Sequence, residues 1–262
     1  MNILKTNDIA IHWREDGDPG GAPVVFANSL GTDLRLWDAL LPLLPQGLRL
    51  IRYDLRGHGL TSCPEAPYDM DTLVGDAEAL VRKLVDGPCV FVGLSIGGMI
   101  GQGLAARGTV PLRGLVLSNT AARLGTPEAW GARIDAIRAG GLDAITDAVM
   151  ERWFAPRFLA GPELPLWRNM MLRQPAAGYM GCCHAIAGAD LTESTRALTL
   201  PVLGIAGAQH GASPRELVKA TIDTIAGARF SVIDGTGHLP CVEDPQGYAR
   251  LLTEFLTEIG HV

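Results

Sequence analysis

The 262-residue sequence has no long apolar run, no cluster of basic residues and few aromatic rings, and each lack removes a class of protein. Spanning a bilayer takes ~18 or more consecutive apolar residues, and no stretch reaches that length. Residues 1–13 alternate polar and apolar side chains and lack the continuous apolar segment of a secretion signal. A soluble, cytoplasmic protein without a membrane partner is expected. Lys and Arg number 22 against 28 Asp and Glu, a formal charge of −6. Their mixed order offers nothing to a phosphate backbone, which argues against nucleic acid as a partner. Five cysteines (Cys63, Cys89, Cys182, Cys183, Cys241) are an odd number with no C-x-x-C pair. Neither a disulfide framework nor a thiolate zinc site is signalled, and buried thiols in a reducing compartment are expected. What is abundant is apolar: 47 % hydrophobic residues against 19 % charged. That excludes disorder and fits one large domain, or one domain with an insertion.

Residues 3–14 alternate as a half-buried strand should, and residues 15–21 are dense in turn formers, which predicts a hairpin there. Residues 23–27 are apolar on both faces, the mark of a parallel strand covered by helices on either side. A helix is predicted over 36–44, a strand over 48–53, a helix over 72–84 and an all-apolar strand over 89–92. The alternation continues with a helix over 97–107 and a strand over 112–117. It returns near the C-terminus with strands over 202–206 and 229–233 and helices over 215–225 and 248–259. Such a sequence folds as an α/β protein with a mostly parallel, doubly wound sheet. Between residues 125 and 196 no strand is legible, and three of the five tryptophans (Trp130, Trp153, Trp167) lie there. A helical cap over 125–196 is expected between the sixth and seventh strands, with 1–124 and 197–262 forming the core.

Gly93-Leu94-Ser95-Ile96-Gly97 directly follows an apolar strand and precedes a helix, the setting of a G-x-S-x-G nucleophile elbow. So tight a turn demands small residues two before and two after the serine, and it leaves the hydroxyl raised above the sheet. The Ile96 N–H, at the start of the helix, can donate to a developing oxyanion. A serine hydroxyl is a weak nucleophile, so a base must reach it, and elbow enzymes order the partners Ser, acid, His. Gly235-Thr236-Gly237-His238 falls in a loop before the last helix, which makes His238 the candidate base. His12, His58 and His261 fit structural or solvated positions better. A second oxyanion donor is expected in the loop Asn28-Ser29-Leu30-Gly31, from the Leu30 N–H.

The acid should follow the strand over 202–206, where the chain reads Gly207-Ala208-Gln209-His210-Gly211, so His210 stands in its place. An imidazole can orient His238 only as a neutral acceptor. Three readings are open. Another carboxylate or Asn119 supports the base; Ser95 and His238 act as a weakened dyad; or His184, His210 and His238 converge on a metal, which three imidazoles can hold with one position free. A ligand-binding protein with weakened hydrolysis is the remaining alternative. In the cap, Arg133 is a candidate for binding a substrate carboxylate, and Trp130 and Trp153 are candidates for the pocket wall. A solvated helix face and a small cap core would use the same residues.

Five segments carry a family resemblance: Asn28-Ser29-Leu30-Gly31-Thr32-Asp33 with Trp37, Arg52-Tyr53-Asp54-Leu55-Arg56-Gly57-His58-Gly59, Gly93-Leu94-Ser95-Ile96-Gly97-Gly98, Ser118-Asn119-Thr120-Ala121-Ala122 and Arg152-Trp153-Phe154. Together they resemble the 3-oxoadipate enol-lactonases over nearly the whole chain. The resemblance implies the α/β-hydrolase fold and hydrolysis of the enol-lactone of 3-oxoadipate, a late step in bacterial breakdown of aromatic compounds. It also implies no cofactor and a small lactone substrate with a free carboxylate. The family's serine falls on Ser95 and its histidine on His238, while its aspartate falls on His210, the substitution an engineered or diverged variant would carry.

Overall fold

The computed structural model describes residues 1–6, 8–209 and 211–262. Its strands are β1 (Asn2–Thr6), β2 (Ile9–Gly17), β3 (Ala22–Ala27), β4 (Leu48–Tyr53), β5 (Cys89–Leu94), β6 (Leu112–Ser118), β7 (Val202–Gly207) and β8 (Arg229–Ile233). They form one sheet in the order β1-β2-β4-β3-β5-β6-β7-β8. The first two ladders, β1 with β2 and β2 with β4, are antiparallel, and the remaining ladders are parallel. The central strands are apolar on both faces because both are covered: Val24, Val25 and Phe26 of β3, Val90, Phe91 and Val92 of β5, and Leu115, Val116 and Leu117 of β6 are all 0 % exposed. Each such side chain contributes roughly 1.5–3 kcal/mol on leaving water, which fixes the middle of the sheet as the rigid base of the molecule.

Helices α1 (Met70–Leu84) and α2 (Ile96–Arg107) follow β4 and β5. Asp69 caps α1 by accepting the Thr72 N–H, and α2 stops at Gly108, in the left-handed region at φ 61°. Between β6 and β7 come α3 (Pro127–Gly140), α4 (Asp143–Trp153), α5 (Pro156–Leu159), α6 (Leu164–Leu172), α7 (Ala176–Gly188) and α8 (Thr192–Arg196). The chain ends with α9 (Arg215–Ile222), α10 (Pro240–Glu243) and α11 (Pro245–Glu258) around β8. The helical insertion sits directly on the core. The Gly59 N–H donates to Gln174 Oε1 at 2.8 Å, and a Cβ on Gly178 would lie 2.1 Å from the Gly57 carbonyl oxygen.

Three expectations are corrected. The hairpin joins β1 to β2 rather than lying at residues 15–21, because Asp8, a turn former, interrupts what reads as one alternating strand. Residues 15–21 lead instead from β2 into β3, which does not pair with it. The segment 36–44 forms two 3₁₀ turns, Leu34–Trp37 and Leu41–Leu43, since Pro42 and Pro45 deny it the hydrogen bonds of a continuous helix. Cys63 is exposed, although the other four cysteines are buried as expected, and all five are free thiols. Among the described residues no helix is long and apolar enough to cross a membrane.

Candidate active site

β5 ends at Leu94 and α2 begins at Ile96, so Ser95 alone makes the turn, with φ 58° and ψ −118°. A non-glycine residue in such a region costs on the order of 1–3 kcal/mol and persists only where its surroundings force it. Here they do: the Ser95 N–H donates to the Ser118 carbonyl at 2.9 Å, and Thr120 Oγ1 donates to the Ser95 carbonyl at 2.7 Å. The two flanking glycines have no room for a side chain. A Cβ on Gly93 would lie 2.2 Å from the Gly97 carbonyl oxygen, and one on Gly97 would lie 2.3 Å from that of Ala27. Gly97→Ala is therefore expected to destabilise the protein by ~1–3 kcal/mol. Denaturant titration reads this directly, and an unshifted midpoint would contradict the packing described.

Leu30 and Ile96 are both buried, and among the described residues neither N–H finds a hydrogen-bond acceptor. Buried N–H groups without partners are rare in folded proteins, and donors so placed next to Ser95 have the chemistry to stabilise a developing oxyanion. Ser95, Leu30 and His238 line a single cleft under the helical insertion, which also contributes Trp130, Arg133, Arg152 and Trp153. Its cavity volume is about 110 Å³. Such a space holds a compact ligand rather than a long chain.

His238 lies between β8 and α10 and is 2 % exposed. Its backbone N–H donates to the Trp153 carbonyl at 2.6 Å, and its backbone carbonyl accepts from Asn119 Nδ2 at 2.8 Å. Asn119 also accepts the Gly207 N–H at 3.0 Å, so it ties the ends of β6 and β7 to the histidine loop through the backbone. Glu243 fastens the same loop to the insertion. One carboxylate oxygen accepts the Gly237 N–H at 2.6 Å and the other the Ala155 N–H at 2.9 Å. Burial pushes the Glu243 pKa up, and the two N–H donors act against that shift.

Arg133 projects from α3 with its guanidinium 4.8 Å from the centre of the Trp130 ring and Nη1 donating to the Tyr179 hydroxyl at 3.4 Å. Trp130 is pinned by its indole N–H on the Leu124 carbonyl at 2.7 Å, and Trp153 packs edge-on against Phe154. Sequence reasoning missed Arg152, which lines the cleft as well. Its pKa is lowered by burial and by the charge of Arg133. Neither guanidinium pairs with a carboxylate among the described residues. The signal was present, because Val149, Arg152 and Trp153 fall at i, i+3 and i+4 on α4 and share one face.

The other histidines are placed differently. His184, on α7, is half-buried and does not line the cleft. His210, expected in the acid's place, lies outside the described residues. Among the described residues no three His, Cys, Asp or Glu side chains are arranged to hold a metal ion. His12, His58 and His261 are buried, His12 with Nδ1 2.7 Å from Asp54 and His261 with Nε2 3.1 Å from the Pro23 carbonyl.

Residues 24–251 match the family model described as the alpha/beta hydrolase family. The chain is 34 % identical to a 3-oxoadipate enol-lactonase of Acinetobacter baylyi over 94 % of its own length and 93 % of the relative's. Among solved structures, the enol-lactonase of Burkholderia xenovorans superposes with a TM-score of 0.93 at 34 % identity, covering 98 % of this chain and all of that one. A thermophilic esterase of Thermogutta terrifontis, solved with malate bound, superposes with a TM-score of 0.92 at 29 % identity over the full length of both chains.

Proposed function

This chain belongs to the alpha/beta hydrolase family, and from that premise we propose that it opens a small enol-lactone bearing a free carboxylate, the enol-lactone of 3-oxoadipate, with Ser95 as nucleophile. The observation that carries the substrate class is the pair of guanidiniums, Arg133 and Arg152, held in the cleft of Ser95 without carboxylate partners. Arg133 is half-buried and Arg152 exposed, and the two like charges repel across the cleft, which a ligand of opposite charge relieves; an Arg fork matches a carboxylate in two places at once. The space available suits a ring of that size. The Thermogutta terrifontis esterase binds malate, a compact dicarboxylate, which favours the same class of ligand.

In the proposed reaction His238 takes the Ser95 proton as Oγ attacks the lactone carbonyl. Negative charge develops on the carbonyl oxygen, where the N–H groups of Leu30 and Ile96 stabilise it. The ring C–O bond then breaks, and the enolate, still tethered to the acyl group, takes the proton from His238 and becomes a ketone. A water molecule gives up a proton to His238 as it attacks the acyl-serine; the acyl–Oγ bond then breaks, His238 returns the proton to Ser95, and the second carboxylate is released. An enolate leaves more readily than an alkoxide, so the reaction asks less of the acid half of the cycle than amide cleavage does. The reaction so written uses no cofactor, and the ligand is the lactone alone.

Steady-state kinetics with the enol-lactone and with p-nitrophenyl acetate, which has no carboxylate, test the assignment. Arg133→Met and Arg152→Met are each expected to raise KM for the lactone roughly 10–100-fold, the loss of a charged hydrogen bond. KM for the ester should hold within about twofold. An unaltered protein that cleaves the ester but not the lactone overturns the substrate, and unchanged lactone KM in both variants overturns the role of the arginines.

A further inference from the structure

The segment Arg56-Gly57-His58-Gly59 has no part in the reaction as written, and His58 does not line the cleft. Its imidazole is 0 % exposed and joins two loops. Nε2 accepts the Gly31 N–H at 3.0 Å, and Nδ1 lies 3.2 Å from the Arg56 carbonyl oxygen. A carbonyl can only accept, so the proton sits on Nδ1 and Nε2 presents its lone pair to Gly31. An imidazolium has no such lone pair, and burial lowers the His58 pKa and keeps the ring neutral.

Gly31 follows Leu30, whose N–H is the proposed oxyanion donor, and it stands at φ 83°, where the chain turns sharply. No side chain can take its place: a Cβ there would lie 2.8 Å from Met171 Sδ and 3.0 Å from the Tyr179 ring. The loop is held at its two ends. Asn28 Nδ2 donates to the Tyr53 carbonyl at 2.8 Å, and the Leu34 N–H donates to Asp54 Oδ1 at 2.8 Å. Between those anchors Thr32 holds the Ser29 carbonyl with its N–H at 3.2 Å and its Oγ1 at 2.8 Å, and the bond to His58 fixes the next peptide unit, from the Leu30 carbonyl to the Gly31 N–H.

We propose that His58 is a positioning residue for hydrolysis, its Nε2 lone pair holding the Gly31 N–H and thereby aiming the Leu30 N–H at the developing oxyanion. The inference rests on the reading of Leu30 as a donor and is independent of which acyl compound is cleaved, because an oxyanion forms on esters and lactones alike. The group acts on the transition state more than on bound substrate, so its loss lowers kcat and leaves KM nearly untouched.

The test compares His58→Leu, which cannot accept a hydrogen bond, with His58→Gln, whose amide oxygen can. Both are assayed with p-nitrophenyl acetate and the enol-lactone, with kcat expressed per site titratable by a fluorophosphonate. His58→Leu is expected to lose roughly 10–100-fold in kcat on both substrates with KM within about twofold. His58→Gln should recover most of the loss. A Leu variant with unchanged kcat, or a Gln variant as poor as Leu, overturns the proposal. So does a lactone KM that rises alone, which would assign His58 to Tyr179, 6.3 Å away between ring centres. ¹⁵N NMR of the unaltered protein tests it without a variant: Nδ1 protonated supports it and Nε2 protonated overturns it. Loss on the ester in a protein inert to the lactone would sink the proposed substrate and leave this inference standing.

Discussion

Ser95→Ala is expected to lower kcat for both the enol-lactone and p-nitrophenyl acetate by on the order of 10⁴–10⁶, and to abolish labelling by a fluorophosphonate. The expectation follows from the elbow. The strained backbone at φ 58° persists because Ser118 and Thr120 grip the serine's N–H and carbonyl, and neither grip uses the hydroxyl. Alanine can occupy the same turn, so the variant should fold and still bind a small dicarboxylate through Arg133 and Arg152. Any residual rate reports the Leu30 and Ile96 donors acting on water attack alone, a contribution that survives loss of the nucleophile in comparable enzymes. Mass spectrometry of the labelled, unaltered protein should place the adduct on the peptide containing Ser95. A label elsewhere, or turnover retained in the variant, would refute the covalent mechanism.

His210→Asp is expected to act in the opposite direction, raising kcat by on the order of 10²–10⁴. In the serine-protease template, loss of the carboxylate that orients the base costs about 10⁴ in kcat. Position 210 comes three residues after β7 ends at Gly207, and β7 lies between β6 and β8, whose following loops carry Asn119 and His238. The chain order Ser, acid, His of elbow enzymes makes position 210 the expected place for an acid partner of His238. A carboxylate there would fix the tautomer of the base and stabilise the imidazolium formed as Ser95 is deprotonated. The comparison is of kcat on both substrates at pH 7, with KM as control. An unchanged kcat would mean that another group already orients His238 and that the histidine is no handicap.

Most of the sheet was legible because its central strands are buried on both faces and read as unbroken apolar runs. β5, β6 and β7 each extend only one or two residues beyond the expected limits. The errors lie where local chemistry and periodicity disagree. The alternation of residues 3–14 hides a two-strand hairpin, because a short polar turn can keep the same rhythm. The apolar residues of 36–44 suggest a helix that proline forbids. In the site, Ser95, His238, Leu30, Trp130, Arg133 and Trp153 all line one cleft, as residues picked for chemistry or aromatic bulk. Arg152 was passed over although it shares one face of α4 with Val149 and Trp153, because the sequence does not say which face of a helix lines a cleft. His58 shows the opposite limit. Nothing in the spacing of Arg56-Gly57-His58-Gly59 indicates that its ring reaches Gly31, since that contact crosses from one loop to another 27 residues earlier.

The Glu243 clasp bears on any attempt to re-engineer the cleft. Because Ala155 and Gly237 share one carboxylate and His238 hangs from the Trp153 carbonyl, the helical insertion is part of the mounting of the imidazole. A chimaera that exchanges the insertion for a relative's must carry over the corner at residues 153–155 and its match to Glu243. A trimmed protein lacking it would lose its base along with its roof.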